Sequence, residues 1–153
     1  FSTYQYLLYE QLQNSTDTQL AAIAEKAIKE VTYHVKWSSE WVIRLGDGTE
    51  ESNRRIKSAL AELWMFTGEL FVPASYELQA ASEGYGVNVA SLKDSWLKRI
   101  EAVFTEAILT PLKREEAGGR LQSDGKQGQH TEYMGYLLAE MQYLQRTYPN
   151  VTW

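Results

Sequence analysis

The longest unbroken periodic run in the chain covers residues 17–45, DTQLAAIAEKAIKEVTYHVKWSSEWVIRL, and it restricts the fold more than any other stretch. Leu20, Ala24, Ala27, Val31, His34, Ser38, Trp41 and Leu45 alternate in spacing between four and three, which puts them on one seam of an α-helix. A second column, Ala21, Ile28, Val35 and Val42, widens that seam. Asp17 is suited to the N-cap, no proline interrupts the run, and Gly46-Asp47-Gly48 ends it. At about 1.5 Å per residue this is a helix of roughly 40 Å, the length found in helical bundles. The rest of the chain is expected to pack on this spine.

Glu30 and His34 stand at the centre of the spine, four residues apart and therefore on one side, with Lys26 one turn earlier. Glu30 shares a column with Ile23 and Trp37, which predicts a place at the margin of the buried face. Bundles that hold two metal ions use a Glu-x-x-His pair on each of two helices and a lone Glu on each of two others. Here the spacing is Glu-x-x-x-His, and the residue three before His34 is Val31, which has no donor atom. The expectation is that Lys26, Glu30 and His34 are a degenerate metal site, its polar groups buried and satisfying one another.

A chain of 153 residues with 44% hydrophobic content can form one domain with a single core. It opens at Phe1 inside a helical pattern, so it is read as the C-terminal portion of a longer protein whose N-terminal helices lie outside it. Cysteine is absent, which removes disulfides and thiolate metal sites and fits a reducing, cytoplasmic setting. No apolar run approaches the roughly 18 residues of a membrane span. A net charge of −5 lacks the concentrated basic face of a nucleic-acid binder. Five tryptophans and ten tyrosines are a heavy aromatic load, of the kind enriched where one protein meets another.

Before the spine, Tyr4, Leu7, Leu8 and Leu12 make a helical stripe, and QNSTDT is a polar turn. After it, Thr49 is placed to cap a third helix with Ile56, Leu60, Leu63, Phe66 or Thr67, and Leu70 on one face, stopped by Pro73. Residues 74–81 suit a short helix. Ser91 with Asp94 has the capping-box spacing and opens a helix carrying Leu92, Trp96, Ile100, Val103, Phe104, Ala107 and Ile108, with Pro111 beyond its end. Residues 112–129 are polar and hold Gly118, Gly119, Gly125 and Gly128, a loop long enough to be functional or to lie over a partner. The last helix is expected over residues 131–147, with Met134, Leu137, Leu138, Met141 and Leu144 buried. No strand pattern survives, so the class is all-α.

Enzymatic readings find little support. A di-iron carboxylate site needs two histidines, each with a Glu three residues away, and the chain has only His34 and His130. There is no nucleophile elbow and no cysteine, and the glycines of AGGRLQSDGKQGQH match neither a P-loop nor a dinucleotide fingerprint. Arg54, Arg55 and Lys57, or Lys93, Lys98 and Arg99, could meet the phosphates of coenzyme A, although such residues usually form a solvated helix face. Trp37, Trp41, Trp64 and Trp96 are most economically core or interface packing.

Three blocks, KAIKEVTYHVKWSSEWVIRLGDGTEES, ALAELWMFTGELF and above all GKQGQHTEYMGYLLAEMQYLQRTYPNVTW, resemble the phenylacetic acid catabolic protein family over essentially the whole chain. The likeness is greatest to its structural type of subunit, which belongs to the multicomponent, NADPH-dependent phenylacetyl-CoA 1,2-epoxidase. The resemblance implies a ferritin-like bundle and a place in aerobic phenylacetate breakdown. It also implies a catalytic sister of the same fold that carries the di-iron centre and most of the contact with the coenzyme A thioester. The sister's Glu-x-x-His motif maps onto Val31 and His34, so no catalytic or metal residue carries over and no cofactor is expected here. Two rival readings stay open: a ferritin-like di-iron oxygenase subunit in its own right, and a helical acyl-CoA-binding module. Self-association is a further open possibility.

Overall fold

The computed structural model describes residues 1–110 and 125–152. Among the described residues there are seven α-helices and no extended strand, as the periodicity predicts for an all-α bundle. In order they are α1 Ser2–Leu12, α2 Thr18–Gly46, α3 Glu50–Leu63, α4 Ser75–Ser82, α5 Lys93–Glu106, α6 Tyr133–Met141 and α7 Tyr143–Thr147. Shorter 3₁₀ segments, Trp64–Phe71, Val89–Leu92 and Gly125–Gln127, lie between them. The expected helix stop at Pro111 and the loop glycines Gly118 and Gly119 fall outside the described residues.

The helix starts have identifiable causes. The Asp17 carboxylate accepts from the backbone N–H of Gln19 at 2.8 Å and of Leu20 at 3.1 Å, satisfying two of the free donors at the head of α2. Thr49 does the same for Ser52 at 3.2 Å, and Glu50 and Glu51 fill the first turn of α3 where the helix dipole favours negative charge. In α4 the cap comes from within: the Glu77 carboxylate reaches back to the Ala74 N–H at 2.8 Å.

Two boundaries differ from expectation. The third helix does not run on to Pro73 but tightens into the 3₁₀ segment Trp64–Phe71, which leaves Leu63 and Phe66 exposed and turns Trp64 and Phe71 inward. The expected Ser91 cap is taken over by Asn88, whose side chain accepts from the Ala90 N–H at 3.1 Å, while the Ser91 hydroxyl donates back to the Asn88 carbonyl at 2.7 Å. An Asx turn three residues earlier thus starts the chain winding before α5 proper.

The core lies between α1, the 3₁₀ segment Trp64–Phe71 and α5. Its centre is a chain of rings. Tyr4 meets Phe71 edge-on at 5.7 Å, Phe71 meets Trp96 at 5.3 Å, Trp96 meets Trp64 at 5.5 Å, and Trp64 meets Phe104 at 5.7 Å. Such pairs contribute roughly 0.5–1.5 kcal/mol each beyond the area they bury. Against this stand the indole N–H groups of Trp64 and Trp96, which are buried and meet no acceptor among the described residues. Each costs on the order of 1–3 kcal/mol.

At the far end α2 and α5 touch backbone to backbone. A Cβ on Gly46 would be driven into the carbonyl oxygen of Ala107 and lie 2.9 Å from its Cβ, so only glycine permits this approach. Asn53 fastens the corner by donating to the Gly46 carbonyl at 2.6 Å. Just beyond, α5 ends in a Schellman arrangement: the Leu109 N–H bonds to the Phe104 carbonyl at 2.9 Å and the Ile108 N–H to that of Thr105 at 3.2 Å. This puts Ile108 at φ 54°, a left-handed conformation that is strained for a β-branched residue. Buried Leu109 and Phe104 hold it there.

The expected last helix is also corrected. It breaks at Gln142 into α6 and α7, and of the five residues expected to be buried only Met134 is even half-covered; Leu137, Leu138, Met141 and Leu144 are exposed. The described residues lay no element over them. Nor is any helix of the described residues long and apolar enough to cross a membrane.

Candidate functional site: the open face of α2

α2 packs most extensively on α1, and this fixes which of its faces is covered. The covered face draws on both predicted columns: Ala24 and Val31 of the main seam are buried, and Ala21, Ile28, Val35 and Val42 of the second column are half-buried. Their short or branched side chains let the two helices lie close. The other main-seam residues lie at the edge of this face or outside it. Leu20, His34, Trp41 and Leu45 are exposed, and Ala27 and Ser38 only half-covered. At 3.6 residues per turn, the Ile23, Glu30, Trp37 and Trp41 stripe is rotated roughly a third of a turn from the covered column.

The predicted polar centre is therefore assembled as a pair but is not buried, which corrects the expectation of an interior site. His34 Nε2 lies 3.8 Å from Glu30 Oε1, with the two side chains 47% and 77% exposed. An exposed i,i+4 pair of this kind contributes about 0.3–0.5 kcal/mol when the imidazole is protonated. Lys26 is exposed one turn earlier and is not drawn into the pair. The physical reason is the absence of a covering layer: no element of the described residues packs over this side of the helix.

The same face carries aromatic rings in the open. Trp37 and Trp41, 54% and 45% exposed, meet edge-on at 6.3 Å, and the Arg44 guanidinium sits 5.7 Å from the Trp41 ring centre. Tyr33 stands beside His34 with ring centres 6.3 Å apart. Ile23 and Leu45 extend the stripe in both directions. The exposed apolar groups are thus interrupted at Glu30 and His34 and cluster around Tyr33, Trp37 and Trp41; clustered exposed apolar groups are the pattern of an interaction surface.

As a metal centre the face is deficient. A di-iron group, which a ferritin-like bundle implies, needs about six helix-borne donors including two Glu-x-x-His pairs. Val31 occupies the position of one carboxylate and is itself buried against the bundle. Among the described residues no three His, Cys, Asp or Glu side chains come together as a metal site. The residues present do not fit that group.

Of the basic groups proposed for phosphates, the three arginines are already engaged, while Lys57, Lys93 and Lys98 are exposed. Arg54 and Arg55 both hold Glu51, at 2.9 and 2.7 Å, and the two guanidinium groups, Arg55 more than Arg54, keep its carboxyl below the usual glutamate value. Arg99 lies over the Tyr6 ring at 4.7 Å. His130 lines an open cleft of about 610 Å³ with Phe66, Glu69 and Met134, at the root of α6. One interaction lay beyond sequence reasoning altogether: Lys126 bonds Glu77 from 49 residues away, at 2.9 and 3.0 Å. No local pattern links the two positions.

Comparison with known proteins agrees with the resemblance seen in the sequence. The family model described as "Phenylacetic acid catabolic protein" matches residues 1–153. A curated relative from Escherichia coli (strain K12), one of the subunits of its 1,2-phenylacetyl-CoA epoxidase, is 42% identical over 146 residues. That alignment takes in 95% of this chain but 57% of the relative's own length. A match of this depth from the first residue to the last leaves one conclusion: the chain belongs to the phenylacetic acid catabolic protein family.

Proposed function

We propose that this chain is part of the non-catalytic, structural subunit of a cytoplasmic phenylacetyl-CoA 1,2-epoxidase complex serving aerobic phenylacetate degradation. In this reading a ferritin-like sister holds the di-iron centre and binds most of the coenzyme A thioester. The present chain docks on the sister and supports its helices. The NADPH-dependent chemistry belongs to the complex and not to this chain.

The observation that carries the reading is the residue set at the centre of α2. Val31, three residues before His34, provides no ligand, and Glu30, the carboxylate one turn from the imidazole, forms an ordinary surface pair with it. The aromatic stripe beside this pair supports the docking half of the reading. Tyr33, Trp37 and Trp41 would be buried in the assembled complex, where such rings supply contact area at low conformational cost. The full-length protein should co-purify with its sister, and His34→Ala should leave turnover of the reconstituted complex within about twofold while lowering the stability of the complex. Loss of turnover in an intact complex would contradict the structural role.

A further inference from the structure

The C-terminal segment, residues 125–152, is an arm whose helices α6 and α7 follow one another across Gln142, with Tyr136, Met141 and Tyr143 among the rings and chains they leave exposed. Among the described residues, Lys126 in the arm's first turn bonds the body. Lys126 Nζ bonds both oxygens of Glu77, at 2.9 and 3.0 Å, and reaches the Val72 carbonyl at 3.4 Å. Both side chains are well covered, Lys126 28% and Glu77 22% exposed, unlike the other ion pairs among the described residues, which lie in open solvent. A partly covered pair is screened less and holds its geometry better than a surface pair.

The carboxylate is itself anchored. Glu77 Oε2 accepts from the Ala74 N–H at 2.8 Å, so the group that receives Lys126 also starts α4. Three acceptors around one ammonium fix a direction as well as a distance: the lysine is drawn into the corner between Val72, at the end of the 3₁₀ segment, and the first turn of α4. Beside this corner the open cleft between Phe66 and Glu69 on the body and Met134 and Leu137 on the arm leaves little apolar packing to position the arm.

We infer that the Lys126–Glu77 pair is a latch that sets the pose of the C-terminal arm on the helical body. The pair ties the arm's first turn to the head of α4 through one charge, and what the arm presents outward follows from its placement. The latch is a property of the pair's geometry and stands apart from the role proposed for the complex.

The chain has no cysteine, so two spin labels can be placed without removing anything. In the full chain, Lys98→Cys on α5 and Tyr136→Cys on α6, both exposed positions, would report the body-to-arm distance by pulsed electron resonance. A single narrow distribution is expected for the labelled parent and for Lys126→Arg. Lys126→Met should broaden or displace it while circular dichroism and the thermal midpoint of the body stay unchanged, and Glu77→Gln should move it in the same sense. An unchanged distribution in Lys126→Met would overturn the latch. A change shared equally by Lys126→Met and Lys126→Arg would overturn it too, because side-chain shape and not charge would then be the cause.

Discussion

Trp64 and Trp96 on one side of the molecule, and Trp37 and Trp41 on another, are the same residue type with opposite surroundings. The first two are 8% and 4% exposed at the centre of a ring chain that joins α1, the 3₁₀ segment and α5. The second two stand half in solvent on a helix that is itself long, well capped and regular. The contrast teaches that helix formation and face burial are separate decisions in this chain. α2 owes its boundaries to Asp17 and to the glycines that follow it. Its covered face is decided by α1, which selects small and branched residues and leaves the tryptophans outside.

The largest expected effect breaks that contrast most plainly. Trp96→Ala should cost about 3–5 kcal/mol of folding stability, while Trp37→Ala or Trp41→Ala should stay within about 0.5 kcal/mol in this chain. Denaturant midpoints on the three variants check it, and equal losses would erase the distinction. Gly46→Ala comes next, since the new methyl meets Ala107 and the α2–α5 corner must open; a loss of about 1–3 kcal/mol is expected. Ile108→Gly should run the other way. It removes the strain of a branched residue at φ 54° from a side chain that is mostly in solvent, and should gain about 1 kcal/mol in thermal unfolding.

Smaller effects follow from titration and sharpen the contrast between core and surface. Burial, reinforced by the Glu77 carboxylate, raises the Tyr4 phenol above the ordinary tyrosine value. The folded state therefore keeps a proton that the unfolded state releases, so stability is intact below the ordinary tyrosine value and falls as pH rises past it. Tyr4→Phe should flatten the alkaline limb of a stability profile. Glu51 has the opposite sign: its lowered carboxyl contributes stability above the ordinary glutamate value, lost as pH falls through its folded value. Because Glu51 is exposed, the acid-side change should be detectable only as a slight loss of helicity, abolished in Glu51→Gln.

The sequence made the all-α class, the span of α2 with its Asp17 cap, and the start of α3 at Thr49 readable, because each depends on residues adjacent in the chain. It did not make the buried side of α2 readable. Two apolar columns compete there, and large aromatic residues such as Trp41 look like core to any pattern that counts hydrophobicity without a partner helix. The 3₁₀ segment escaped for a related reason. Its apolar residues fit a helical stripe on paper, Trp64 and Phe71 would share a face of an α-helix as well, and no local signal marks the change to 3₁₀ winding. In the candidate site, the Glu30–His34 pairing and the missing carboxylate at Val31 were legible from spacing alone. Their exposure was not, since it depends on what lies over the helix.

The central claim is that the middle of α2 is a surface ion pair beside a docking stripe and supplies no ligand to a metal. Metal analysis of the full-length protein, purified apart from the proposed sister subunit and then reconstituted with it, tests this most directly. The account predicts negligible iron on this protein and the complex's iron on the sister. About two equivalents of iron on this protein, lost in His34→Ala, would contradict it.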